Sequence, residues 1–137
     1  MKKHLFILIL LPLFYNCSDT GFNNRNPFIP NYSFAYSINT SLPSYNDLLY
    51  TTGAVYIPGQ GARGLIVFNN GSGYNAFDAA CPNQTIGACS TMTIKGINAI
   101  CPCDSREYSL FTGQGGLEYP LKQYRVEVNG NMIRVYN

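Results

Sequence analysis

Histidine is almost missing from this chain: His4 is the single imidazole among 137 residues. It sits in a basic, apolar start that is expected to be removed, so the domain left behind has no imidazole at all. Ser and Cys nucleophiles usually depend on such a base. The carboxylates Asp47, Asp78, Asp104, Glu107, Glu118 and Glu127 show no spacing that marks an acid–base pair, and an enzyme acting alone is the weakest of the function classes. Charge is also sparse, at 12% of residues, with nine basic side chains against seven acidic. Loss of Lys2 and Lys3 with the first 16 residues leaves seven of each, a formal charge of zero. No basic stripe interleaved with aromatics exists, which argues against nucleic acid as a partner. Long apolar runs are absent as well. Only Leu5 to Phe14 is continuously apolar, apart from Pro12, and it is too short for the roughly 20 residues of a membrane-spanning helix.

That first run has a different meaning. Met1, Lys2, Lys3 and His4 are a basic start, the apolar stretch follows, and Cys17 comes directly after it. This is the layout of a secretory signal over residues 1–16. Cys17 stands where a bacterial lipoprotein carries its acylated cysteine, and the plain alternative is cleavage nearby without a lipid. The remaining cysteines number four and can pair among themselves, so Cys17 is the odd one and lipidation accounts for it. The expected location is the bacterial cell envelope, periplasm or outer membrane. The expected partners are the membrane, through that lipid, and an unidentified envelope protein. Residues 17–30 are polar, Asn-rich and broken by Pro27 and Pro30, the composition of a flexible tether.

From Asn31 to Asn137 the composition is that of one globular domain: 46% of the whole chain is hydrophobic, with 11 Tyr and 8 Phe. Short segments rich in Val, Ile, Tyr and Phe alternate with Gly, Asn and Pro clusters. They run Phe34–Asn39, Ala54–Ile57, Arg63–Asn69, Tyr74–Ala79, Met92–Lys95, Asn98–Ile100, Tyr108–Phe111, Tyr124–Val128 and Met132–Tyr136, and they predict strands. No window of helical length keeps apolar residues at i, i+3, i+4 and i+7 without a Gly or Pro, although Ser44–Asp47 could form one turn. The class is all-β. The last two strands predict a hairpin with Asn129-Gly130 as its turn.

Two local patterns carry little weight. Gly59-Gln-Gly61-Ala-Arg-Gly64 has the glycine spacing of a dinucleotide loop, but such a loop must open a helix whose amides face the phosphates. Here the apolar segment Gly64-Leu-Ile-Val-Phe68 follows, so the loop is a hairpin connection. The Asn-x-Ser/Thr triplets at Asn31, Asn39, Asn70 and Asn83 are what an Asn-rich chain produces by chance.

The cysteines are the informative feature: Cys81-Pro82-Asn83, then Cys89, then Cys101-Pro102-Cys103-Asp104-Ser105, which leads into Tyr108-Ser-Leu-Phe111-Thr-Gly113. This arrangement resembles the Rieske family. That family holds a [2Fe-2S] cluster with two cysteines on one iron and two histidines on the other, from loops of the form C-x-H and C-x-x-H, the second typically C-P-C-H-G-S. Cys81 and Cys101 fall on the family's ligand cysteines. Cys89 and Cys103 fall on two further cysteines that many members join as a disulfide between the loops. The resemblance covers roughly residues 54 to 137, through Tyr119-Pro120-Leu121 and the closing hairpin, and it implies a small Rieske-like domain of antiparallel strands with two cysteine-bearing loops.

Both ligand histidines are replaced, by Asn83 in the first loop and Asp104 in the second. Losing two imidazoles removes half the protein ligands of a normal cluster. Asp104 could give a carboxylate oxygen and Asn83 an amide oxygen, though an amide is a feeble iron ligand. Without a cluster, the two ligand thiols would meet in an oxidising envelope. The resemblance therefore implies bridges Cys81–Cys101 and Cys89–Cys103, each contributing about 3 kcal/mol by chain entropy. A four-cysteine zinc site is the rival reading, but Cys101-Pro-Cys103 is tighter than the usual spacing of two intervening residues. Two functions stay open. One is a lipid-anchored, disulfide-stapled domain with a structural or binding role and no cofactor. The other is an electron-transfer protein whose [2Fe-2S] cluster has altered ligands, with Cys81 and Cys101 as metal ligands.

Overall fold

A computed structural model describes residues 24–137. The expected secretory signal, Cys17 and the first part of the expected tether lie outside the described residues. Among the described residues there are nine strands: β1 (Ala35–Asn39), β2 (Ala54–Ile57), β3 (Leu65–Asn69), β4 (Tyr74–Asp78), β5 (Thr93–Lys95), β6 (Asn98–Ile100), β7 (Glu107–Ser109), β8 (Gln123–Asn129) and β9 (Met132–Tyr136). They build two antiparallel sheets, one of six strands in the order β1-β9-β8-β4-β3-β2 and one of three in the order β5-β6-β7. The all-β class read from periodicity holds. The single turn expected at Ser44–Asp47 is a 3-10 helix over Pro43–Leu49, with proline in its first turn and Leu48 buried.

Strand β3 shows how the two sheets share a core. All four of Leu65, Ile66, Val67 and Phe68 are fully buried, because a strand's side chains alternate between faces and here both faces are covered. Leu65 and Val67 join Ile38, Val55, Ile57, Ala76, Tyr124, Ile133 and Val135, one or two residues from every strand of the larger sheet. Side chains from both edge strands, β1 and β2, meet in that cluster, so the sheet is curled into a half-barrel. Ile66 and Phe68 point the other way, to Phe77, Met92, Ala99, Tyr108 and Leu110, and this second cluster includes Cys81 and Cys101. It lies under the three-stranded sheet.

The closing hairpin differs from expectation by one residue. Asn129 pairs with Met132, so the strand reaches further and the two loop residues are Gly130 and Asn131. Gly130 has a left-handed φ of 60° and Asn131 does not. The turn is thus of the Gly-first kind, not the Asn-Gly kind, and either supplies the twist a hairpin requires.

Residues 24–31 lie against the body, and the boundary expected near Asn31 falls inside this docked stretch. Asn26 bridges to Ile29, whose side chain is 2% exposed. Lys122, 2% exposed, donates from Nζ to the carbonyl of Asn24 at 2.7 Å and to Asn31 Oδ1 at 2.6 Å. Burial pushes the Lys122 ammonium below its ordinary pKa, and the neighbouring Asp78 carboxylate opposes that shift.

Candidate functional site

Two loops carry the four cysteines beyond Cys17. The first extends β4: Cys81 N–H donates to Ser90 O and Met92 N–H to Ala79 O, so the chain leaves the sheet, turns, and returns beside itself. The second follows β6 and closes on itself, with Ser105 N–H donating to Cys101 O and Cys101 N–H to Arg106 O. Ser105 takes a left-handed φ of 60° to allow this closure. The loops are joined twice. Cys81 is bonded to Cys101 with Cα atoms 5.5 Å apart, and Cys89 to Cys103 with Cα atoms 5.1 Å apart. These are the two pairs the resemblance implies, and both separations suit a disulfide. The bridges differ in access. Cys81 and Cys101 are each 1% exposed, whereas Cys103 is half-buried and Cys89 exposed. The sulfurs of Cys81, Cys101 and Cys103 all lie within 4.8 Å of one another.

Asn83 and Asp104, the residues that the resemblance sets at the histidine positions, have separate partners. Asn83 donates from Nδ2 to Tyr108 Oη at 3.0 Å and to Tyr119 O at 2.7 Å, and its Oδ1 accepts Tyr119 N–H at 2.9 Å. Both amide protons and the carbonyl are thereby used to tie the first loop to β7 and to the turn before Pro120. Asp104 is exposed, and its carboxylate accepts Arg106 N–H at 2.9 Å. In this arrangement the residues do not fit a [2Fe-2S] cluster: two of the four candidate donors are bonded to each other, one is spent on an internal staple and one caps a backbone amide. Nor do the cysteines present the free thiolates of a zinc site.

Sequence reasoning missed the residues that hold this geometry. Tyr108 is buried beneath the loops, and burial pushes its phenol above the ordinary range while the Asn83 hydrogen bond pulls it back. Tyr119 stacks edge-on against Phe28 of the docked N-terminal stretch, with ring centroids 5.9 Å apart. Asn26 of that stretch donates to Pro82 O at 2.8 Å, so residues before the expected boundary contact the first cysteine loop. Gln84 Nε2 lies 3.7 Å from Cys101 Sγ and Ser90 Oγ 4.0 Å from Cys103 Sγ. An Asn or Gln in a loop carries no periodicity, and only the fold reveals what it faces.

The loop Gly59–Gly64 connects β2 to β3 as a hairpin. Three of its amides are already occupied: the buried Asp78 carboxylate accepts Ala62 N–H at 2.6 Å and Arg63 N–H at 3.1 Å, together with Tyr124 Oη–H at 2.7 Å, and Gly64 N–H donates to Gln60 O. A Cβ at Gly61 would collide with that carboxylate and with the Tyr124 hydroxyl, and the residue has a φ of 63°. Gly61 serves this inward cap and not a phosphate. An open cleft of about 740 Å³ lies along Arg25, Asn26, Phe28, Pro30 and Tyr119, and none of the cysteines lines it.

No protein-family model matches the chain, and no curated protein matches it. Solved structures do. One is a chain from a complex of reduced oxygenase and oxidized ferredoxin in carbazole 1,9a-dioxygenase, at 20% identity over 76% of this chain and 92% of that one, with a TM-score of 0.50. Another is a chain described as a candidate small subunit of an NADPH nitrite reductase, at 20% identity over 73% and 97%, with a TM-score of 0.44. At such identity the first likeness is one of fold alone: a small all-β, Rieske-like domain with two cysteine-bearing loops.

Proposed function

We propose that this chain is a lipid-anchored envelope protein whose Rieske-like domain does structural or binding work without a cluster, its two loops stapled by disulfides. Asn83 carries the reading. It occupies the place of a ligand histidine, yet its amide is fully engaged with Tyr108 and Tyr119. Freeing its oxygen for iron would leave the Tyr119 N–H without its acceptor, at a cost of about 1–3 kcal/mol. The gain would be one weak ligand.

Electron transfer is the rival. The structural neighbour named for a ferredoxin complex makes it worth testing, although a shared fold does not carry a shared function. The two readings separate in one preparation: the domain purified anaerobically, its thiols mapped by mass spectrometry, and its iron, sulfide and visible absorption measured. Two bridges in a colourless, iron-free protein are expected. Free Cys81 and Cys101 with iron, sulfide and visible absorption would overturn the stapled reading. The anchor is tested apart from this. Cys17→Ser in the full chain is expected to move the protein from the membrane fraction to the soluble one, and a variant that stays with the membrane would remove the lipid from the proposal.

A further inference from the structure

The two disulfides are unequal in access and close in space, and that combination has a chemical consequence. Cys89 is an exposed residue, whereas the two residues of the inner bridge are each 1% exposed, so a soluble thiol meets the outer bridge first. Yet Cys103 Sγ, the inner end of the outer bridge, lies within 4.8 Å of both sulfurs of the inner one. We propose that the Cys89–Cys103 bridge is the entry point for thiol–disulfide exchange with the buried Cys81–Cys101 bridge, with Cys103 as the attacking sulfur and Cys101 as the leaving one.

The chemistry needs an external dithiol as reductant. Its first thiolate attacks Cys89 Sγ, the Cys89–Cys103 bond breaks and Cys103 leaves as a thiolate. The reductant's second thiol resolves the mixed disulfide, leaving Cys89 as a thiol and the reductant oxidised by two electrons. Cys103 then attacks Cys81 Sγ. The Cys81–Cys101 bond breaks, a Cys81–Cys103 bond forms, and Cys101 departs as a thiolate and takes up a proton. This last step is redox-neutral. It carries a disulfide that includes the half-buried Cys103 to where a second equivalent of dithiol reaches it.

Two neighbours set the direction. The rate of exchange rises with the stability of the leaving thiolate, and Gln84 Nε2, 3.7 Å from Cys101 Sγ, is placed to donate to the sulfur that leaves. Ser90 Oγ stands 4.0 Å from Cys103 Sγ and can support the thiolate there before it attacks. Among the described residues no such donor lies at Cys81, the sulfur that is attacked and carries no charge in either state.

The proposal rests on the stapled reading in needing both bridges, so the unreduced protein is mapped first. Free Cys81 and Cys101 at that stage overturn the stapled reading. With both bridges present, the folded domain is treated with limiting dithiothreitol, quenched in acid, alkylated and mapped over time. The expected two-thiol species include one that carries alkylated Cys89 and Cys101 and a Cys81–Cys103 bridge. Cys89→Ser, which frees Cys103 without reductant, is expected to divide between Cys81–Cys101 and Cys81–Cys103 linkages, and adding Gln84→Ala to lower the second several-fold. Removing the outer bridge by Cys89→Ser with Cys103→Ser is expected to slow reduction of the inner one about tenfold or more, since access then limits it. An inner bridge reduced as fast in that double variant as in the wild type overturns the relay alone. So does a wild-type two-thiol population that holds only Cys89 and Cys103 thiols, a result that needs no variant to fold.

Discussion

The half-barrel and the cysteine lobe are built to different rules. The half-barrel takes one or two apolar side chains from each of six strands, four to seven residues long, into a shared interior that contains no cysteine. The lobe has three strands of three residues each. Its cluster is completed by Ile66, Phe68 and Phe77 borrowed from β3 and β4, and by the Cys81–Cys101 bridge itself. Strands this short bury too little to order themselves, and small units in that position rely on covalent staples. The comparison teaches that the two bridges hold one region of this protein while the other stands on packing.

The sharpest way to break that comparison is full reduction. By chain entropy each bridge contributes about 3 kcal/mol, so reducing both is expected to lower stability by roughly 6 kcal/mol in chemical denaturation. Amide hydrogen exchange should then show β5–β7 losing protection well before β1, β8 and β9. Uniform loss of protection would mean that the two regions fold as one unit and that the distinction is false.

Phe77 tests the borrowing. It is buried in the lobe's cluster but belongs to a half-barrel strand, and Phe77→Ala is expected to cost about 3–5 kcal/mol. Exchange should rise first in β5–β7. A smaller loss is expected for Asn83→Ala, about 1–3 kcal/mol, because the Tyr119 N–H loses its acceptor and the Tyr108 hydroxyl its donor. Thermal denaturation measures it, and no loss would detach Asn83 from the staple assigned to it.

The smallest effect sharpens the half-barrel side. Burial, with the Asp78 carboxylate beside it, pushes the Tyr124 phenol well above its usual range. A raised folded pKa means that this contribution is fully present below the unfolded value of about 10 and is lost as pH rises beyond it. Stability is expected to fall above that pH, with a shallower fall in Tyr124→Phe. Equal slopes in the two proteins, followed by thermal melts across the alkaline range, would remove Tyr124 from the account.

Much of the fold was legible in short apolar segments. All nine strands sit where β-branched and aromatic runs alternate with Gly, Asn and Pro, and the ends moved by one or two residues because pairing partners, not propensity, set them. The hairpin at Gly130 moved for that reason. Its register follows from Asn129 facing Met132, and the Asn-Gly pair alone left it undetermined. Within the site, the cysteines were legible as a group while their neighbours were not. Asn83 read as a lost ligand, and its use by Tyr108 and Tyr119 depends on residues 25 and 36 positions away. Residues 24–30 read as tether because they are polar and proline-broken, yet Lys122, about a hundred residues later, binds Asn24.

The sequence by itself determined the all-β class, the approximate strand positions and, after the first 16 residues, the zero formal charge and the absence of imidazole, since all four rest on composition and local period. Tertiary structure alone decided which cysteine is reachable, which sulfurs are neighbours, that a buried lysine holds Asn24 and Asn31, and that a spent asparagine ties the first cysteine loop to Tyr108 and Tyr119. Those depend on contacts between residues far apart in the chain, and no local pattern encodes them.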